Sequence, residues 1–454
     1  MKIIVAGAGE VGYNIAERLS RDKVDVVLID VDQKRLEAVV DSLDVQTICG
    51  SASHPVVLKE AGLEDSDMLV AVTSSDEINV LACRMSQLMA PEVRRAARIR
   101  DQLLYEEVHQ KEELKEGLGL SFVIDPSALT VDTILDYLDL PGAVDVINVA
   151  DGRLKFVGLR LSRNHPAVGK ALAEVLPRTP DNNLLVVAIY RHHEVLIPSG
   201  ATVLKGRDLL YMAATPERFQ EVAAFFEIEW KTVDNIFIMG GGEVGLHLAK
   251  RLEERDEGDV SVKLIEQNAE RCEFLSRELK NTIVLRGDAT DQSLLEDEGI
   301  AECDVFIAVG ADDEKNMVTC LLAKRLGAAN TITRVNRYSY APLVSAIGLE
   351  SLVSARVAAV SAILQYIHKG LVVTVATLQN EDAEVAEITV AENSRLCGLA
   401  LRDSKFPAGS IVAGVLRGDD CFVPRGDTVL EAGDVLAVVA RSDAVHQLTK
   451  IYGK

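Results

Sequence analysis

The amino-acid sequence predicts an α/β protein with two Rossmann-like, doubly wound parallel-sheet domains, each followed by a small α+β domain. Two observations support this prediction. Short apolar strands alternate with helical patterns, as in parallel sheets covered by helices. In addition, KIIVAGAGEVG at Lys2 recurs as NIFIMGGGEVG at Asn235, and VLIPSGATVLKGRDLLYMA recurs as CFVPRGDTVLEAGDVLAVVA. The chain therefore consists of two tandem copies of a two-domain unit.

Composition excludes several classes of protein. The 454 residues are 48% hydrophobic and 26% charged, which is ordinary for a soluble globular chain of three or four domains. A net charge of −22 disfavours nucleic acid and anionic lipid as partners. No apolar run approaches the roughly 20 residues of a membrane-spanning helix. Seven scattered cysteines without a C-x-x-C pair, and histidines without ligand spacing, predict reduced thiols and no metal site.

The order of elements is the same in both copies. In the first copy we expect strands near residues 2–6, 25–29, 45–48, 68–72, 96–99 and 121–124. The predicted domains are residues 1–125, 140–225, 232–355 and 370–454. The segments PSALTVDTILDYLDL and ARVAAVSAILQYIHK are apolar helices that join each parallel-sheet domain to the small domain after it. Such a helix packs either on its own domain or on a partner, and the pattern leaves both open. Each small domain has short strands and hairpin turns, with a helix expected at 167–176 in the first.

The first turn has the context of a dinucleotide-binding site. A G-x-G-x-x-G string alone is a weak signal, but here a strand precedes it, a helix follows it, and an acid ends the next strand at the expected distance of roughly 20 residues. Gly7 permits the tight turn, Gly9 lets a pyrophosphate approach the backbone, and Gly12 lets helix and strand pack closely. The helix N-terminus then faces the phosphates. The second copy repeats the pattern with Gly240, Gly242 and Gly245.

The acids that end the second strands predict the ligand class. Asp30 in the first copy, and Glu266 in the second, are placed to accept hydrogen bonds from ribose hydroxyls. An acid there repels a 2′-phosphate, so NAD, NADH or an adenine nucleotide such as ATP or ADP is favoured over NADP.

Further loops should lie at the same edge of each sheet, because the carboxyl ends of parallel strands meet there. Ordinary turns, and a surface salt bridge for the arginines, are the alternative interpretations. The corresponding pairs are Gly50, Ser51 and Ala52 with Gly287, Asp288 and Ala289; Thr73 and Ser74 with Gly310 and Ala311; and Arg98 with Arg334.

The full set of motifs resembles a known family. VAGAGEVG, TICGSAS, AVTSSDEIN and AARIRD, together with LDLPGAVDVINVADGRL, VVAIYR and IPSGATVLKGRD, are similar to the tandem RCK-domain regulatory subunits of Trk-type potassium uptake systems. The resemblance covers essentially the whole chain. It implies an RCK N-terminal and an RCK C-terminal domain in each half. It also implies a cytoplasmic homodimer or homotetramer ring, held at the inner face of the membrane by a potassium-translocating subunit of the TrkH or TrkG type.

The turn and loop positions and the resemblance together predict a set of nucleotide-binding residues, and the resemblance implies a non-enzymatic, gating role. In the first half these are Gly7, Ala8, Gly9, Glu10, Val11, Gly12, Asp30, Gly50, Ser51, Thr73, Ser74 and Arg98. In the second half they are Gly240, Gly241, Gly242, Glu243, Val244, Gly245, Glu266, Asp288, Ala289 and Arg334. The loop residues differ between the halves, which puts an equal ligand preference in doubt.

Two other functions stay open. The first is an NAD-dependent oxidoreductase of unusual tandem architecture. Against it, the small segments offer no shared His, Lys or Cys constellation for proton transfer near a nicotinamide, and the chain has no G-x-S-x-G, Walker lysine or triad spacing. The second is the regulatory part of a different potassium channel or transporter.

Overall fold

The computed structural model describes all residues except 22, 141, 151, 177–183, 193, 229–232, 256–259, 338–339, 350, 368–371, 379–382 and 453–454. The predicted domain limits at 232, 370 and 454 lie outside the described residues. The chain divides into two compact units, Met1–Thr130 with Ser354–Ile367, and Val131–Val353 with His368–Lys454. Within the described part of the chain, no helix has the length and apolar character needed to cross a bilayer.

The elements follow one another in the repeated order. The strands are β1 Lys2–Ala6, β2 Asp25–Asp30, β3 Gln46–Cys49, β4 Met68–Ala71, β5 Arg94–Arg98, β6 Phe122–Ile124, β7 Asp145–Val149, β8 Leu154–Arg160, β9 Leu185–Arg191, β10 Glu194–Leu196, β11 Leu209–Ala214, β12 Asn235–Met239, β13 Ser261–Glu266, β14 Ile283–Arg286, β15 Val305–Ala308, β16 Asn330–Arg334, β17 Ser351–Val353, β18 Val372–Leu378, β19 Ala383–Thr389, β20 Ser410–Arg417, β21 Asp420–Phe422 and β22 Val435–Arg441. The helices are α1 Glu10–Arg21, α2 Gln33–Val40, α3 Pro55–Glu60, α4 Asp76–Met89, α5 Gln102–Gln110, α6 Glu112–Gly117, α7 Pro126–Asp139, α8 Leu172–Val175, α9 Phe219–Phe225, α10 Glu243–Glu253, α11 Ala269–Glu278, α12 Gln292–Asp297, α13 Asp313–Leu326, α14 Ala341–Ala346, α15 Ala355–Ile367 and α16 Ser442–Tyr452.

Each half contains a six-stranded parallel sheet, which confirms the predicted fold class. The strand order is β3-β2-β1-β4-β5-β6 in the first unit and β14-β13-β12-β15-β16-β17 in the second. The central strands are buried on both faces, as expected for apolar runs covered by helices. Chain order reverses between β1 and β4, and again between β12 and β15, and ligands bind at such switch points in open α/β sheets.

The linker helix of the second half, α15, belongs to the first compact unit. Its apolar residues Ala359, Ile363 and Ile367 are buried in the core that holds the inner face of α1. The ring of Tyr366 stacks on Phe122 with centroids 4.5 Å apart. Arg94 closes the end of this helix by donating to the carbonyls of Tyr366 and Ile367, each at 3.2 Å.

The linker helix of the first half, α7, makes the reciprocal contact within the second unit. From Val131 onward its apolar face packs in the core that contains α10. Asp132 pairs with Arg251 at 3.1 Å, and the Tyr137 hydroxyl donates to the Leu352 carbonyl at 3.3 Å. Each linker helix thus packs on the parallel-sheet domain of the other half of the chain, and not on the parallel-sheet domain that precedes it. The sequence had left the packing partner of these helices open.

The small domains are five-stranded antiparallel sheets with the orders β10-β9-β11-β8-β7 and β18-β19-β22-β20-β21. Their repeated acid is a buried structural residue. Asp208 receives Nε and Nη2 of Arg191 at 2.7 and 2.6 Å, and Asp434 receives the same atoms of Arg417 at 2.8 Å each. Because Asp208 and Asp434 are almost fully buried, the ion pair compensates the cost of burying each charge.

The helix predicted at 167–176 is wrong in its extent, because α8 has only four residues. The preceding backbone pairs elsewhere. Gly169 N–H donates to the Leu204 carbonyl at 2.9 Å, and Leu204 N–H donates to the Lys170 carbonyl at 3.0 Å. Gly169 also has a positive φ of 85°. These hydrogen bonds already pair the carbonyl and amide groups that a longer helix would need for its own hydrogen bonds.

The two small sheets share one apolar core in the second unit. Phe156 and Tyr211 of the first sheet pack in it with Val385 and Val439 of the second. The hydroxyl of the buried Tyr211 donates to Asp145 at 3.0 Å. Burial raises the pKa of Asp145 to about 6, although this hydrogen bond works in the opposite direction.

Asp145 should therefore make stability depend on pH. Its folded-state pKa lies above the unfolded value of about 3.9, so the folded state binds more protons between these values and stability falls as pH rises through that range. We expect Asp145→Asn to raise the free energy of unfolding by roughly 1–3 kcal/mol at pH 8, and by less at pH 5. Urea unfolding at both pH values measures this. Asp419→Asn, at an exposed turn, is the control, and an equal gain at both pH values would contradict the assignment.

Candidate functional site

The first glycine turn connects β1 to α1 at the switch point of the sheet. Gly7 has a φ of +110° and its N–H donates to the Ile29 carbonyl at 2.7 Å. A Cβ on Gly7 would lie 2.9 Å from Thr73 N, and one on Gly12 would lie 1.8 Å from Gly7 O. Both positions therefore require glycine for the packing of the turn itself.

The middle glycine of each turn is different. A Cβ built on Gly9 or on Gly242 would have no described atom within 4 Å. The backbone here faces open space at the start of a helix, and helix N-termini in proteins commonly bind phosphate through their N–H groups. The side chains of Val11 and Val244 are buried in the core, whereas Glu10 and Glu243 are exposed.

The predicted ribose acids are fixed by the glycine turns. Asp30 accepts the N–H of Ala8 at 2.6 Å and that of Asp32 at 2.8 Å. In the second half, Glu266 accepts the equivalent N–H groups of Gly241 and Asn268, both at 2.8 Å. The carboxylates are thus held at the end of the strand, each with lone pairs left for a ribose.

The longer acid of the second half explains one substitution in the turn. A Cβ on Gly241 would lie 3.0 Å from Glu266 Oε2 and 2.5 Å from Leu275 Cδ1. Alanine occupies the same position in the first half, at residue 8, where the acid is one methylene shorter. The exchange of Asp30 for Glu266 is therefore coupled to the loss of a methyl group.

A buried asparagine organises the loop after β4, and sequence reasoning missed it. Asn79 Oδ1 accepts Thr73 N–H at 2.8 Å and the Thr73 hydroxyl at 2.7 Å, while its amide donates to the Arg98 carbonyl at 2.9 Å. Both Asn79 and its counterpart Asn316 are fully buried. Their position one turn into a helix, after the loop, is the only signal the sequence offers.

The same clamp is incomplete in the second half. Asn316 donates to the carbonyls of Gly310 and Arg334, each at 2.9 Å. Its Oδ1 is buried and has no hydrogen-bond partner within the described part of the chain. The exchange of Thr73 for Gly310 removes the hydroxyl that would fill this position, and an unpaired buried acceptor makes the second loop less stable.

Arg98 and Arg334 end the corresponding strands β5 and β16, and both side chains reach the loops that follow the neighbouring strands. Arg98 Nη2 donates to the Thr73 carbonyl at 2.6 Å, and Arg334 Nη1 donates to the Val309 carbonyl at 3.3 Å. The Nε of each is buried, with no partner among the described residues. Burial lowers the pKa of both arginines. A partly buried guanidinium fits an anionic ligand better than a surface salt bridge.

The remaining candidates lie around the same edge with less specific contacts. Ser51 shares a hydrogen bond with Ser53 at 2.8 Å, and Gly50 N–H donates to the Asp30 carbonyl at 2.8 Å. Ser74 accepts from Arg100 through its carbonyl. Ala289 is buried in the core, so only its backbone faces a ligand.

Asp288 is engaged by its own neighbours. It accepts the N–H and hydroxyl of Thr290, both at 2.9 Å, and lies 3.1 Å from Lys315 Nζ. Burial alone would raise the pKa of Asp288, but these donors hold it below its ordinary value. Asp288 is therefore charged at neutral pH, at the place where the first half has the uncharged Ser51.

These contacts fit a nucleotide. Each site combines an open glycine turn, a fixed carboxylate at the end of the second strand and a partly buried arginine at the end of a later strand. Together they match the phosphates and ribose of an adenine nucleotide or a dinucleotide.

Comparison with known proteins agrees with this architecture. The TrkA-N domain model matches residues 3–126 and 236–355, and the TrkA-C domain model matches residues 156–227 and 385–453. The chain belongs to the TrkA family. This confirms the resemblance seen in the motifs, and the TrkA match extends over both halves.

Full-length TrkA relatives support the assignment. The Trk system potassium uptake protein TrkA of Vibrio alginolyticus is 36% identical over 439 residues, which are 96% of this chain and 94% of the relative. That of Halomonas elongata is 33% identical over 456 residues, covering 100% and 98%. A TrkA homolog of Archaeoglobus fulgidus is 34% identical over 454 residues and covers both chains fully.

Solved structures show the same fold. The crystal structure of the GsuK RCK domain has a TM-score of 0.60 and 19% identity, covering 99% of this TrkA chain and 94% of the other. A GsuK channel bound to NAD also has a TM-score of 0.60 at 19% identity, covering 99% and 78%. The likeness shows that this TrkA chain has the RCK fold.

Proposed function

We propose that this chain is a cytoplasmic, nucleotide-binding regulatory subunit of a Trk-type potassium uptake system. The observation that carries the proposal is the pair of open glycine turns, where a Cβ on Gly9 or Gly242 would meet no described atom within 4 Å and where Asp30 or Glu266 is fixed by a turn N–H group. The names of the TrkA relatives give the process, and the GsuK channel of the same fold is described as bound to NAD.

The ligand is NAD or NADH, or ATP or ADP, and each half binds it in the same orientation. The pyrophosphate lies over Gly9 or Gly242, the ribose hydroxyls donate to Asp30 or Glu266, and Arg98 or Arg334 meets a phosphate. The two halves rank nucleotides differently, because their loops differ in charge and in hydrogen bonding. A ligand changes a conformational equilibrium only through its different affinity for the two states, so such a chain can respond to a ratio of nucleotides.

The partner is a membrane-embedded potassium-translocating subunit of the TrkH or TrkG type. The chain forms a homodimer or homotetramer ring at the inner face of the membrane, and its working domain limits are 1–125, 140–225, 232–355 and 370–454. The net charge of −22 disfavours direct contact with anionic lipid, so the signal passes through protein contacts. The bound nucleotide is a signal and is not consumed.

Flux measurements test the proposal. With the purified translocating subunit in vesicles, addition of this chain should make potassium flux depend on the ATP to ADP ratio, or on the NADH to NAD ratio. Couplings of roughly 1–3 kcal/mol between sites are typical, which correspond to changes of about 5- to 150-fold. Flux that is indifferent to all four nucleotides would contradict gating. Steady oxidation of NADH by the pure protein with a carbonyl or quinone acceptor would favour the oxidoreductase.

Cofactor selectivity follows from the fixed acids. Because Asp30 and Glu266 already hold negative charge at the ribose position, a 2′-phosphate would be repelled. We expect NADH to bind at least about tenfold more tightly than NADPH, a difference of roughly 1.4 kcal/mol. Calorimetric titration of the full chain with both cofactors measures the ratio. Equal affinities would show that the carboxylates do not face the ribose.

A further inference from the structure

Arg356 brings a positive charge from the second half of the chain to the first glycine turn. It is the second residue of α15, whose residues form part of the first compact unit. Its Nη2 donates to Asn14 Oδ1 at 2.6 Å, and its Nη1 lies 3.8 Å from Glu10 Oε2. Glu10 directly follows Gly9 and begins α1, so Arg356 neutralises an acid at the place where a phosphate approaches.

The position of Arg356 is set by a rigid element. The helix that carries it is buried along Ala359, Ile363 and Ile367, and its far end is held by Arg94. The Arg356 side chain is 23% exposed, whereas that of Glu10 is 65% exposed. The arginine is therefore held against α1, and the acid beside it still faces solvent at the mouth of the turn.

The second half has no charged counterpart at this position. Tyr137 of α7 corresponds to Tyr366 of α15, and the same alignment places Ser127 opposite Arg356. The turn acid itself is kept, since Glu243 corresponds to Glu10. The second site also has Asp288 where the first has Ser51. The second turn has a cation of its own, because Arg271 Nε donates to the Gly241 carbonyl at 2.6 Å, and Asp288 lies 3.1 Å from Lys315 Nζ. The two turns therefore differ in which element supplies the positive charge, α15 at the first and α11 at the second.

We propose that Arg356 is a specificity-determining residue that lets the first site accept highly charged phosphates, because it compensates the charge of Glu10. The inference rests on the proposed nucleotide-binding function. Without Arg356, the negative charge of Glu10 repels each added phosphate charge. With it, the pair is neutral, and the ligand class favoured in the first half is a nucleoside polyphosphate.

The test compares nucleotides that differ only in phosphate number. AMP, ADP and ATP are titrated calorimetrically into the full chain carrying Gly242→Val, so that only the first site is measured. We expect Arg356→Gln to weaken ATP binding about fivefold, which is the upper end for a partly exposed charge pair. The same substitution should weaken ADP binding less, and AMP binding least. The loss should shrink at high salt, because such charges are screened. Arg356→Lys should keep most of the ATP affinity.

Two further variants separate charge from structure. In a Glu10→Gln background, Arg356→Gln should have little effect, because the acid that it compensates is gone. Arg251→Gln breaks the ion pair to Asp132 on the other linker helix, at the far end of α10, and should leave all three affinities unchanged. Equal losses for AMP, ADP and ATP, with a lower melting temperature, would show that Arg356 only holds α15 and would overturn the inference. If the parent with Arg356 binds none of the three but binds NADH, the inference fails and the proposed function stands. If it binds neither these nucleotides nor NAD or NADH, the proposed nucleotide function fails at this site as well.

Discussion

Gly12→Ala is expected to prevent stable folding of the first parallel-sheet domain, whereas Gly9→Val should fold normally and lose nucleotide binding. A Cβ on Gly12 would lie 1.8 Å from the carbonyl oxygen of Gly7, which is backbone and cannot rotate away. Relief requires the helix to move off the strand, at a cost above the roughly 1–3 kcal/mol of ordinary overpacking. On Gly9 a side chain enters open space, which is the space that the proposed phosphate needs.

Thermal unfolding and calorimetric titration of the two variants separate fold from function. The second half supplies a matched pair, since a Cβ on Gly245 would lie 2.0 Å from Gly240 O and one on Gly242 has no described neighbour within 4 Å. A stable Gly12→Ala protein would contradict the close packing of turn and helix. A Gly9→Val protein that binds nucleotide with wild-type affinity would show that the ligand does not cross this turn.

The parallel sheets were predictable because their signals are local. Buried parallel strands are continuous apolar runs, and the turn glycines stand at fixed distances from them. The internal repeat adds a second check, because Gly7 and Gly240 stand 233 positions apart and each follows an apolar strand and precedes a helical pattern. The short helix α8 was not predictable in the same way, since its length is set by pairing with the distant Leu204.

The differences between the two sites were predictable only in part. The exchange of Thr73 for Gly310 is visible in the sequence, but its consequence for Asn316 Oδ1 depends on which buried amide lies beside the loop. The domain on which each linker helix packs was not predictable either, because an apolar helix of that length has no face that identifies its partner. For the same reason, the contact between Arg356 and Glu10 could not be predicted from the sequence, although both residues are charged.

Arg98→Gln should weaken nucleotide binding at the first site on the order of 100-fold, or about 2.7 kcal/mol. A hydrogen bond to a charged group contributes roughly 1.5–3 kcal/mol, and the proposed role of Arg98, which ends β5 beside the Thr73 loop, is to donate one from its guanidinium to a phosphate. Asp76, whose charge acts on Arg98, accepts the N–H groups of Arg100 and Asp101 through Oδ2, both at 2.8 Å, and its Oδ1 lies 3.6 Å from Arg100 Nε. An anionic ligand would therefore supply the counter-charge that this buried guanidinium lacks.

Replacing Arg98 should not lower the stability of the protein when nucleotide is absent. Without ligand, burying the Arg98 charge is unfavourable, as the lowering of its pKa by burial indicates. The glutamine variant should therefore unfold at a temperature equal to or above that of the wild type without nucleotide, and should gain less when nucleotide is added. Arg334→Gln is the matched variant and should affect only the second site. A protein that loses stability but keeps its nucleotide affinity would show that Arg98 only supports the Thr73 loop through its bond to the carbonyl.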